Sequence, residues 1–419
     1  QLTGGHLMPV ANPTIGCYIG FSFTLNTGAW ILGTSTLGTG TILGDTYVTV
    51  YTNVGSDVRS VSVQRGKSRE LGQYQAGRCS VVLDNRSRDY DPLNLSGPYV
   101  TGGVTDVKPG RLLYVTATDP TTGLVHRLFT GRIRNWTLDY TGVFDSVATI
   151  DCTDSMTELA NTTLVDVATT ATDMGAVAAE LLVAAGVSNF GYDEAIFTAQ
   201  AMTWNTKALT ALRKIEVSEQ GALYVEPSGD VRFTSNSALI AQGRSRNSQA
   251  TFGSGNLTFE DIEIDYDSEL ILNDVALTRT GGVEQTVQDT ESIDAYGQRS
   301  YEQTGLANGL DADVLSIANY IVNKYDDPEV RITGIKMHPR KHADLMTQAL
   351  IRQIRDRVTV TFAPVGGGTA ISQELFITGI GHRITAQAGM ETSYQFEGTE
   401  WSHGWLLGTD ALGTAELGL

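Results

Sequence analysis

The sequence predicts a mainly β fold of the α+β class: two β-barrel or β-sandwich domains separated by a small α+β insert, with extended N- and C-terminal arms. Three observations carry this. Runs rich in Val, Thr, Ile and Tyr alternate apolar and polar residues over 45–155 and again after Leu257, the period of half-buried strands. Between those blocks the apolar spacing becomes helical. Glycine supplies 45 of 419 residues, above the ~7% of average proteins, while charged residues stand at 18% against a usual ~25%.

Taken in order, 1–44 is expected to be an arm and 45–155 the first β domain. Tyr47, Val48, Val50 and Tyr51, then Val58, Val61 and Val63, mark its first strands. Residues 78–84 place Cys79, Val81 and Leu83 on one face, and Asp84-Asn85, Asp91-Pro92, Pro109-Gly110 and Thr122-Gly123 supply turns before strands at 111–118 and 124–140. The insert covers 156–257. Residues 173–186 start on Asp and stop on Gly, so they predict a helix. Ala208, Leu209, Leu212, Ile215 and Glu219 predict a second, followed by a hairpin bent at Ser228-Gly229. The second β domain, 258–400, carries helices at 313–325 and 343–355 and strands at 330–337, 357–362, 374–385 and 392–397. Residues 401–419 form the C-terminal arm.

The arms share an echo, W-[IL]-L-G-T-x-x-L-G-T, at 30–39 and 405–414. Either both segments pack on their own domains, or they dock on neighbouring subunits through Trp30, Leu32 and Leu37 and through Trp405, Leu407 and Leu412, with Trp as anchor.

At about 150 residues per domain, the length allows two to four domains. Formal charge is −18 and the isoelectric point near 4.7. That argues against a protein gripping phosphates over its whole surface, but not against one past which nucleic acid slides. The apolar stretch at 15–23 is broken by glycines and falls short of the ~20 residues of a membrane span, so no membrane insertion is expected. Cys17, Cys79 and Cys152 have neither zinc nor redox spacing and read as buried thiols of a protein folded in a reducing cytoplasm. The first residues lack a signal-peptide pattern, and Met8 is the expected natural start.

Little of the sequence suggests catalysis, and no cofactor or metal is expected. Gly66-Lys67-Ser68 lacks the earlier glycine of a phosphate loop, with Val61 in its place, and reads as a solvated basic loop with Arg65 and Arg69. His338 and His342 have zinc-like spacing, but Pro339 disfavours a helix there, leaving two surface histidines. His6, His126, His382 and His403 are isolated and support no site. No serine has a nucleophile-elbow setting.

The most informative charged stretch is 260–269. Asp261, Glu263, Asp265 and Asp267 should face one way and Ile262, Ile264 and Tyr266 the other. This is a solvated strand face, a wall of an aqueous channel that repels a polyanion, or a calcium site. Calcium fits least, because alternate carboxylates stand about 7 Å apart along a strand. Lys336, Arg340, Lys341, Arg352, Arg355 and Arg357 gather positive charge, a candidate patch for an acidic face of a neighbouring subunit.

The runs 63–69, 75–85 and Tyr90-Asp91-Pro92, with 96–99 and 108–111, resemble the opening β domain of minor tail proteins of long-tailed phages. Residues 218–226 and 228–233 resemble a segment of tail-tip hub proteins, and 271–275, 295–297 and 354–360 fit the same pattern. Arg355 departs from it, standing where the family often has glycine before the Asp. The resemblance implies a structural virion protein similar in plan to the contractile-tail baseplate hub. Two tube-like β domains per chain would form a homotrimer at a siphophage tail tip, assembled in the host cytoplasm. Its implied partners are a distal tail ring protein, a tape-measure protein and central-fibre or receptor-binding proteins, with phage DNA passing through unbound. The competing expectations are a hexameric distal tail ring protein, a tail-associated cell-wall hydrolase and a carbohydrate-binding module.

Overall fold

A computed structural model describes residues 9–25, 47–142, 144–170, 172–241, 243–266 and 268–399. The first block is antiparallel, built from β1 (Thr14–Leu25), β2 (Tyr47–Asn53), β3 (Val58–Gly66), β4 (Gln75–Asp84), β5 (Leu112–Thr118), β6 (Val125–Thr141) and β7 (Asp145–Thr153). Alternation dictates its core as expected: Val61, Val63, Cys79, Val81 and Leu83 point inward and are buried. The three cysteines are free buried thiols, and burial pushes Cys17 up to about 12.

The insert packs α1 (Met174–Ala184) and α2 (Ala208–Glu219) against the hairpin of β8 (Ala222–Val225) and β9 (Val231–Thr234). Asp173 caps α1 by accepting from the Ala176 amide at 2.8 Å, the start signal the sequence displays. Gly229, at φ 97°, turns the hairpin.

The second block contains β10 (Asp261–Asp265), α3 (Asp311–Tyr325), β11 (Arg331–Met337), α4 (Ala343–Ile351), β12 (Arg357–Phe362), β13 (Ile371–Thr385) and β14 (Gly389–Gly398). Within this stretch α3 covers a small separate sheet centred on Asp274–Arg279, and Val275, Leu277, Val314 and Ile317 give it its own core.

Three features differ from expectation. The two β blocks are not separate sheets: β3 pairs antiparallel with β13, from Gly66↔Gly379 to Ser60↔Thr385, and among the described residues a 13-stranded sheet runs through both. Glycine is required at that seam, because Gly66 has φ +100° and a Cβ there would lie 2.1 Å from the Thr378 carbonyl oxygen. Second, the expected N-terminal arm contains β1, hydrogen-bonded between β2 and β5. Its glycines read as breakers, yet Gly20 gives the close approach that Thr49 needs, 2.3 Å from where a Cβ would stand. Third, α4 stops at Ile351 rather than running to 355, because Arg352 and Asp356 are drawn into buried ion pairs and Arg355 turns the chain at φ 71°. The arm residues Trp30, Leu32, Leu37, Trp405, Leu407 and Leu412 lie outside the described residues.

Candidate functional site: an acidic ladder and a buried charge cluster

β10 pairs with β11 along the end of the large sheet. Ile262 and Ile264 pack on the second block's core, and Asp261, Glu263 and Asp265 are exposed on the opposite face, as a period of two demands. Among the described residues none of these three carboxylates has a side-chain cation within ion-pair distance. Lys336, directly across from Asp261, is engaged instead with Glu391 at 3.2 Å. Asp267 falls outside the described residues, and Tyr266 leaves the inward set, 66% exposed beyond the last pairing. The ladder therefore presents three like charges on one face.

The basic stretch behaves in the opposite way. Its members do not form a free patch but are consumed within the chain. Arg352 and Arg355, expected at a subunit interface, are each only 6% exposed. Arg352 pairs with Asp356 at 3.4 Å, and Arg244 donates to the same carboxylate at 2.6 Å. Arg355 pairs with Glu397, and Arg357 with Glu374. Lys341 and His338 both hold Glu260, His338 at 2.9 Å, and the bond from Lys341 keeps the Glu260 carboxyl below its ordinary range. Arg340 exchanges backbone and side-chain hydrogen bonds with Val10, tying the N-terminal segment to this turn. His342 caps α4, its Nδ1 accepting from the Asp344 amide at 3.1 Å. His382 is a core residue beside Thr392, and burial pushes its pKa down to about 3.

Lys67 overturns the expectation of a solvated loop. Its Nζ lies 2.7 Å from Glu397 Oε2 and donates to the Glu70 carbonyl at 2.6 Å. Arg355 donates to Glu397 and to the Tyr74 hydroxyl. Glu70 in turn takes Lys324 of α3 at 3.2 Å and the Tyr325 hydroxyl at 3.2 Å, with Arg331 of β11 at 3.7 Å. Burial alone would raise the Glu397 carboxyl; Lys67, Arg355 and Lys324 more than offset that and hold it at about 2. The cluster thus joins the first block's 67–74 loop, α3 and the second block. Arg355 itself adopts a left-handed conformation, φ 71°, and its guanidinium is held in the cluster by Glu397 and Tyr74. Sequence reasoning missed this cluster: Glu397 stands 330 positions from Lys67, and no local spacing connects them. Among the described residues there is no group of three or more His, Cys, Asp or Glu side chains placed to hold a metal ion.

No protein-family model and no curated protein matches the sequence. Solved structures do match the fold. The tail protein from Neisseria meningitidis MC58 superposes with a TM-score of 0.59 at 12% identity, covering 93% of this chain and 97% of that one. The 43 kDa tail protein of prophage MuSo2 from Shewanella oneidensis gives 0.51 at 12% identity, over 83% of this chain and 95% of that one. The fold is that of phage tail proteins, as the sequence resemblance implies.

Proposed function

We propose that this chain is a structural tail-tip protein of a siphophage: a homotrimeric hub that closes the tail tube and surrounds the DNA channel. It would anchor central-fibre or receptor-binding proteins and adjoin the distal tail ring and tape-measure proteins. The observation that carries the reading is the near end-to-end likeness to a tail protein, over 93% of this chain. In this reading the two β blocks are the tube domains, and the seam between β3 and β13 holds them in fixed relation within each subunit. Asp261, Glu263, Asp265 and Asp267 line the channel, where like charge keeps DNA from sticking, and a trimer triples the formal −18 of each chain. The echoing Trp arms dock on neighbouring subunits. No catalysis forms part of this role.

Native mass of the purified protein and electron microscopy of the tail tip test it. Three copies are expected; six would make it a distal ring protein. Clear peptidoglycan degradation by the purified protein would overturn the structural role. A trimer structure with Asp261, Glu263 and Asp265 away from the channel would overturn the lining.

A further inference from the structure

A cavity of about 690 Å3 lies where three parts of the chain meet: the start of β6, the β8–β9 hairpin and the 350–356 turn. The hairpin is held against β6 by the bond from Thr130 Oγ1 to the Pro227 carbonyl at 2.7 Å. Five arginines line the cavity, against the carboxylates Glu226 and Asp356. Among the described residues three of the five have carboxylate partners: Arg244 with Asp356, Arg232 with Asp193 and Arg355 with Glu397.

Arg65 and Arg127 differ. Arg65 is 5% exposed and donates to Gln353 Oε1 at 3.3 Å, and its buried Nε has no hydrogen-bond partner among the described residues. Asp154 and Glu226 act on it from beyond ion-pair distance, and both Asp154 oxygens already accept backbone amides, from Gly77 and Met156. Arg127 sits at the exposed mouth, its guanidinium stacked 3.8 Å from the centre of the Tyr114 ring. A buried guanidinium without a contacting carboxylate calls for a counter-charge, and its planar fork suits an oxyanion.

We propose that this cavity is an oxyanion site, taking a carboxylate or phosphate group against Arg65 with Arg127 at its entrance. The ligand bridges the first block, the insert and the second block, so occupancy braces their junction. Glu226 opposes the anion and sets its affinity. Binding at this cavity requires neither a hub role nor the acidic ladder.

The test is calorimetric titration of the full chain at constant ionic strength with inorganic phosphate and, separately, with a glutamate-rich heptapeptide. At least one probe should bind saturably. Arg65→Met should weaken that binding about tenfold or more, the scale of a lost charge-assisted bond. Glu226→Gln should tighten it. Phosphate binding more tightly marks a free anion as the occupant; the peptide binding more tightly marks an acidic segment of a polypeptide. Absence of saturable binding by both probes overturns the proposal. So does binding unchanged in Arg65→Met, or, should that variant not fold, no tightening in Glu226→Gln.

Discussion

The exposed ladder on β10 and the buried cluster around Glu397 both concentrate charge, and they handle it in opposite ways. In the cluster, Lys67 and Arg355 close on Glu397 in a setting where all three are less than a tenth accessible or nearly so, and each charge depends on the others. On the ladder, three carboxylates share a face and, among the described residues, none has a cation within ion-pair distance, and solvent screens them. Buried charge therefore fixes how the parts of this chain sit together, while the ladder's charge stays exposed to solvent.

Removing the cluster's anion should break this contrast most sharply. Glu397→Gln keeps the volume and leaves Lys67 and Arg355 buried without their carboxylate, so urea denaturation should show a loss of about 3–5 kcal/mol. The same group sets a pH dependence. Its pKa is lowered on folding from the ordinary 4.5 to about 2, so the stability it contributes is present above about 4.5 and is lost as pH falls toward 2. Acid titration of thermal stability should show wild type falling through that window and Glu397→Gln falling less.

The seam comes next. In Gly66→Ala the new methyl meets the Thr378 carbonyl oxygen at a backbone angle alanine rarely adopts, and a cost of at least about 2 kcal/mol is expected by the same denaturation. A cost near zero would mean that the β3–β13 pairing yields without consequence.

The smallest effect on stability belongs to the ladder. The combined change Asp261→Asn, Glu263→Gln and Asp265→Asn should alter unfolding free energy by no more than about 0.5 kcal/mol per site, and relief of like-charge repulsion favours the variant. A large loss would place these carboxylates inside the stability of the fold and end the contrast with the cluster.

Much of this architecture is legible in the sequence because its signals are local. Alternation at Val61–Val63 and at Cys79, Val81 and Leu83, the Asp173 cap and the Ser228-Gly229 turn each act within a few residues, and the structure keeps them. The acidic alternation of β10 survives for the same reason. What failed depended on distant partners. Lys67 looked solvated because a basic loop beside glycine usually is, and nothing nearby signals Glu397. Arg352 and Arg355 looked like an interface patch because charge counts along a chain cannot say which way a side chain is folded. β1 was hidden by glycines whose role is set by Thr49 on another strand.

By itself, then, the sequence determined the β class of the protein, its helical insert and the alternating faces of its strands, since these follow from side-chain period and turn chemistry. Tertiary structure alone decided that two β blocks share one sheet, which cations are spent inside the chain and where a cavity gathers arginines. Those outcomes rest on contacts between residues hundreds of positions apart, where burial turns a charge that is cheap in water into one that must find its partner.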